Sequence, residues 1–128
     1  MHPPDGRRYE VGSANLLGLA GLHASMQMLL ELGVENIARE LLRKRDVLVP
    51  ALQNKGYEVL YADGPPEARS GIVTFHRPGT DLAATHEKLT AAKIVTSLRA
   101  DRQGNRYIRL SPHFYNTDAE LHRLLELL

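Results

Sequence analysis

Along "GSANLLGLAGLHASMQMLLELG" the apolar positions Leu16, Leu19, Leu22, Met26, Leu29 and Leu30 recur every three or four residues, the spacing of a helix face. Ser13 or Asn15 can cap its start, and Gly33 can end it. Gly18, Gly21, Ala24 and Ser25 make a second, small-residue side that lets another backbone come close, so contact on more than one face is expected. A second helical pattern runs from Glu35 to about Asn54, with Ile37, Leu41, Leu42, Leu48 and Leu52 inward and "RELLRKRD" mostly solvated. Pro50 lacks the N–H that would bond back along the helix, so a kink or early fraying is expected there.

The period then changes. "YEVLY" (57–61) and "GIVTFH" (71–76) alternate and are rich in β-formers, which predicts two neighbouring strands around the Pro-rich loop 62–70. "TDLAATHEKLTAA" returns to helical spacing, with Thr80 or Asp81 as its cap. "IVTSL" (94–98) and "RYIRLS" (106–111) read as a third and a fourth strand joined by the turn-prone "ADRQGN". In "TDAELHRLLELL" a capping box of Thr117 and Glu120 precedes the stripe Leu121, Leu124, Leu125 and Leu128. The order α-α-β-β-α-β-β-α predicts an α+β fold, a small and largely antiparallel sheet of three or four strands with helices packed on it. All 128 residues are expected to form a single domain, with residues 1–12 linker-like.

Composition narrows the function. Sixteen basic and fifteen acidic residues leave a net charge of +1, and the charges alternate along the chain instead of forming a basic stripe. Nucleic acid and anionic membrane are therefore poor candidates for a partner. The apolar stretch from Leu16 to Leu32 is too short and too interrupted to cross a bilayer, and "MHPPDGRRYE" is not a secretion signal. The absence of cysteine removes disulfides, thiolate metal sites and thiol nucleophiles from this chain, and fits a reducing cytoplasm.

Candidate chemistry concentrates in "IRLSPHFYNTDAE" (108–120). Alternation puts Arg109 on the opposite face of its strand from Ile108 and Leu110, so its guanidinium must meet solvent, a carboxylate of the chain or an anionic ligand. The bland alternative is a half-exposed strand arginine paired with an acidic side chain, and composition alone favours it. Arg99, at the end of the preceding strand, can converge with Arg109 into a clamp for carboxylate or phosphate. The six histidines never pair at the spacing that sets two ligands on one helix face, so metal binding ranks below surface or capping roles. Ser111 and His113 lack the strand-turn-helix elbow of a hydrolytic serine. The Gly-Ser turn of "YEVGSAN" (9–15) can hold an anion at a helix start, although ordinary capping explains it equally well.

Two stretches, "RRYEVGSANLLGLAGLHASMQMLLELGVENIARE" and "SLRADRQGNRYIRLSPHFYNTDAELHRLLELL", resemble the C-terminal small domain of class V aminotransferases, the pyridoxal-phosphate fold-type I group that includes cysteine desulfurases and epimerase-like enzymes. The specific pieces are Arg-aromatic-Glu-x-Gly-Ser/Thr-x-Asn near the start and Arg-x-Ser-x-x-x-Tyr-Asn-Thr near the end. The resemblance implies that Arg109 grips the α-carboxylate of an amino-acid substrate and that Arg99 lies by the site entrance. It implies too that Ser13, with Asn15 in the same motif, approaches the cofactor phosphate of the other subunit of a dimer, and that Tyr115 and Asn116 shape the exit from the Arg109 strand.

The family's Schiff-base lysine, and the aspartate that pairs with the pyridine nitrogen, belong to a large domain N-terminal to this region. Lys44, Lys55, Lys88 and Lys93 do not lie in such a stretch. No catalytic residue is therefore expected in this chain, and pyridoxal phosphate is expected in a complete parent but not on the isolated chain. The large domain and a homo-oligomeric copy are the implied partners. The short, cysteine-free "ADRQGN" disfavours desulfurase chemistry and leaves transamination, lyase or epimerase chemistry. The alternative from another class is a free-standing small-molecule-binding or protein-interaction module that kept the fold.

Overall fold

The computed structural model describes residues 5–9 and 12–128. Its elements follow in the order α1 (Leu16–Leu32), α2 (Val34–Asn54), β1 (Glu58–Val59), β2 (Val73–His76), α3 (Leu82–Ala91), β3 (Ser97–Ala100), β4 (Arg106–Leu110) and α4 (Asp118–Leu127), with 3-10 turns at Gly6–Tyr9 and Pro66–Ala68. This is the α+β order that the periodicity predicts. Contacts divide the chain into two compact units, Met1–Val34 and Glu35–Leu128.

In the first unit Asn15, not Ser13, caps α1 by accepting from the Gly18 N–H at 2.9 Å. Gly18 makes room for that cap, since a Cβ there would lie 2.6 Å from the Asn15 amide nitrogen. Gly33 ends α1 at φ 83°, its N–H reaching Leu29 and Leu30 carbonyls. No α1 residue is buried, and Leu17 is 86% exposed. The stripe expected to face inward is therefore uncovered, and Leu17, Met28 and Leu32 add apolar surface outside it. Among the described residues no single helix is long and apolar enough to cross a membrane.

The second unit is built on a sheet of order β1-β2-β4-β3, antiparallel at every pair. Side-chain alternation gives it two unlike faces. Val73, Phe75, Ile108 and Leu110 point into a core completed by Leu48 and Leu52 of α2, Leu82 and Leu89 of α3, and Leu121, Leu124 and Leu125 of α4. Tyr57 sets its ring edge-on to Phe75 at 4.9 Å. Across the ladder, Thr74 lies opposite Arg109, Ser97 opposite Arg109 from the other side, and Arg99 opposite Tyr107. Those residues share the second, open face.

Four local expectations are corrected. First, α2 does not fray at Pro50 but continues to Asn54, because Leu48 and Leu52, both at 0% exposure, pin the helix on either side of it. Second, the strand expected at 57–61 shrinks to Glu58–Val59. The Tyr57 N–H turns back to the Leu52 carbonyl and the Gly56 N–H to Gln53, a helix-ending pair of bonds with Gly56 at φ 80°. Third, the strand expected at 94–98 begins at Ser97. The same motif ends α3, with the Ile94 N–H on Leu89 and the Lys93 N–H on Thr90, so those donors serve the helix and not a ladder.

Fourth, "RELLRKRD" is not mostly solvated, since Lys44 and Arg45 are buried at 1% and 4% exposure. Both find partners. The Lys44 ammonium bonds Glu40 and the Phe114 carbonyl, and Arg45 Nη2 donates to the Tyr61 carbonyl at 2.7 Å. Their positions fall between Leu41 and Leu48 on the inward side of α2, where the aliphatic stems replace apolar side chains.

Candidate functional site

Arg109 projects from the middle of β4 onto the open face of the sheet, held there because Ile108 and Leu110 on either side are locked in the core. Its Nε is buried without a hydrogen-bond partner. Among the described residues no carboxylate pairs with it, so the bland salt-bridged alternative lacks its acid. Arg109 instead opens on a cleft of about 310 Å³ lined by Thr96, Ser97, Ser111, Tyr115 and Asn116, among others. The lining has hydroxyl and amide groups and one guanidinium, with no Asp, Glu, Lys or His. Thr96 Oγ1 is a second buried atom there that has no partner.

The wall opposite the strand is the loop that follows β4. Asn116 pins it by accepting from the His113 N–H at 2.8 Å, while its own N–H reaches the His113 carbonyl at 3.1 Å. The expected capping box is formed, with Glu120 taking the Thr117 N–H at 2.7 Å. That bond, joined by those from Asn116 and the Thr117 hydroxyl, holds the Glu120 carboxyl below its usual range. The His113 ring stacks on Tyr115 at 4.9 Å.

A charged clasp fixes the loop from behind. Arg43 spans Glu40 at 2.8 Å and Asp118 at 2.6 Å, and Lys44 joins Glu40 to the Phe114 carbonyl. The Arg43 hydrogen bond, and then that of Lys44, pull the Glu40 carboxyl down to about 2. Sequence reasoning missed Lys44 and Arg45. The signal was their position on the inward stripe, masked by their charge.

Of the four residues singled out in advance, Arg109 and Arg99 lie on one sheet face, and Arg99 pairs with no acid among the described residues. Ser13 and Asn15 belong to the other unit. Ser13 is exposed, and the Asn15 side-chain oxygen is engaged as the α1 cap.

Chemically, the cleft can orient an anion. A guanidinium with a free Nε–H offers the two-donor edge that fits a carboxylate. No lining side chain is a base or a nucleophilic amine. Lys44 and Lys88 direct their ammonium groups to Glu40 and to the Leu127 carbonyl respectively. The lining of the cleft therefore fits an anion such as a carboxylate and holds no amine that could anchor pyridoxal phosphate covalently.

The geometry is that of an α+β domain with a cationic cleft on the uncovered face of its sheet. The model of the aminotransferase class-V family matches residues 3–124, and the chain belongs to that family. Among solved structures it is similar to the apo cysteine desulfurase of Thermococcus onnurineus NA1, at 22% identity and a TM-score of 0.82 over 99% of this chain and 33% of that one. It is likewise similar to a NifS-like protein, at 24% identity and a TM-score of 0.78 over 98% of this chain and 36% of that one. At such identities the likeness carries the fold alone. The chain spans about a third of the length of these two proteins. No curated protein matches it.

Proposed function

We propose that this chain acts as the small domain of a pyridoxal-phosphate-dependent class V enzyme, in which Arg109 holds the α-carboxylate of an amino-acid substrate. The observation that carries this function is the Arg109 guanidinium, with Nε buried and unpartnered in a cleft that no carboxylate lines. Leaving such a donor unsatisfied costs free energy that an incoming anion recovers. The cofactor, its lysine and the electron-withdrawing chemistry would come from a large domain outside this sequence. Ser13 and the Asn15 turn would approach the cofactor phosphate of a second subunit, and Arg99 would stand at the entrance. By itself the chain orients and does not catalyse.

Transamination, lyase or epimerase chemistry suits this chain better than sulfur transfer, which needs a thiol nucleophile that none of its 128 residues provides. The setting is a cytoplasmic dimer.

The test is nuclear magnetic resonance of the arginine Nε–Hε groups during titration with alanine, with methylamine as the control that lacks a carboxylate. Alanine should move the Arg109 signal saturably, with a dissociation constant on the order of 1–10 mM, and methylamine should not. Arg109→Gln should abolish the response. Equal responses to the two compounds, or binding that survives in the variant, would remove the proposed role of Arg109.

A further inference from the structure

We infer that the site selects an amino acid with a second carboxylate, which Arg99 receives. This rests on the role of Arg109 just proposed and adds the class of substrate. Ser97 lies directly opposite Arg109 and Arg99 directly opposite Tyr107, so Arg99 and Arg109 are diagonal neighbours on the open face. Diagonal pairs stand about 7–8 Å apart, within reach of long side chains. The other two corners of this quartet are Ser97, which is small, and Tyr107, whose ring lies against His76 and whose hydroxyl bonds Asp101.

The acids Asp101 and Glu58 are already engaged. Asp101 accepts from the Gln103 and Asn105 N–H groups and the Asn105 amide of the β3–β4 turn, and from the hydroxyl of Tyr107 in β4, at 2.8–3.2 Å. Glu58 meets His76 at 3.1 Å near the far edge of the sheet. Arg106, the remaining arginine of these strands, has Asp81 at 3.6 Å. Two cations on one face with no acid between them repel each other. A monocarboxylate on Arg109 leaves Arg99 without a counter-charge, whereas a short dicarboxylate supplies one to each.

β3 is also the edge of the sheet, where a charge can serve merely to keep the edge solvated. Ligand selectivity separates these roles. The full 128-residue chain is titrated with aspartate, glutamate and alanine, read by calorimetry and by the arginine Nε–Hε signals, with amide spectra confirming that each variant is folded. The better-fitting dicarboxylate should bind about tenfold more tightly than alanine, as one added charge-assisted pair allows, and should move both arginine signals. Arg99→Gln should reduce it to the alanine level, Arg99→Lys should restore part of the gain, and Arg109→Gln should abolish binding of all three. Equal affinities, unaffected by Arg99→Gln but lost in Arg109→Gln, would overturn the second carboxylate site and leave Arg109 in its role. Binding that survives Arg109→Gln would overturn both.

Discussion

The two faces of the sheet are made from alternate residues of the same strands, yet they answer to different demands. On the inner face Val73, Phe75, Ile108 and Leu110 are at most 5% exposed and meet three helices. On the outer face Thr74, Ser97, Arg99, Tyr107 and Arg109 stay partly open, and Arg109 keeps a buried donor with nothing to bond. A face selected for stability satisfies its groups internally. The outer face leaves a donor open, as the recognition proposed above requires, and the antiparallel ladder lets both exist one residue apart.

The largest effect that could break this contrast is on the inner face. Phe75 has no exposed surface and packs against Tyr57, so Phe75→Ala should cost about 3–5 kcal/mol through lost burial and the cavity left behind. Urea unfolding measures it. A loss below about 1 kcal/mol would mean that the core does not close on β2 as described.

The next effect belongs to the clasp behind the loop that borders the outer face. Glu40 has its carboxyl drawn from the ordinary 4.5 to about 2 by the Arg43 and Lys44 hydrogen bonds. A carboxyl whose folded value is depressed contributes stability that is present above the unfolded value and lost as pH falls through the folded one. The urea midpoint should therefore decline between about pH 5 and about pH 2. Glu40→Gln should lower the midpoint at neutral pH, and its difference from the parent should shrink across that window. A gap that stays constant with pH would show that the charge of Glu40 is not what holds Lys44 and Arg43.

Much of the inner face is legible in the sequence because it is periodic. Ile108 and Leu110 alternate with Arg109, Leu48 and Leu52 share a helix face, and Thr117 with Glu120 announces the start of α4. Legibility fails where one residue conceals a familiar signal. Lys93 takes the left-handed backbone, φ 65°, that ends α3, a position where glycine would mark the stop, so the pattern alone sets the strand three residues early. Lys44 and Arg45 look solvated because they are charged, although helical spacing turns them inward. The outer face is legible only in part. That Arg109 points away from the core follows from alternation, but that it lacks an acid depends on Asp101 being held within its own turn and Glu58 lying with His76, which spacing along the chain does not reveal. α1 is a third case: its three- and four-residue repeat is genuine, but the surface that would cover it is absent from the described residues.

The smallest expected effect on stability is also the sharpest test of the contrast. Arg109→Met keeps an aliphatic stem of similar reach while deleting the guanidinium, so packing beside its cross-strand neighbours Thr74 and Ser97 is preserved and the unsatisfied Nε donor is removed. If the outer face were part of the stabilising core, this change would cost free energy like any other buried substitution. If the guanidinium is instead held ready for a ligand, its desolvation is a cost already present in the folded state, and relieving it should leave the unfolding free energy unchanged or raise it by about 1 kcal/mol. Urea unfolding of the variant without ligand decides the matter. A clear loss of stability would mean that Arg109 has a partner inside the fold, and both the cleft and the division between the faces would have to be redrawn around that partner.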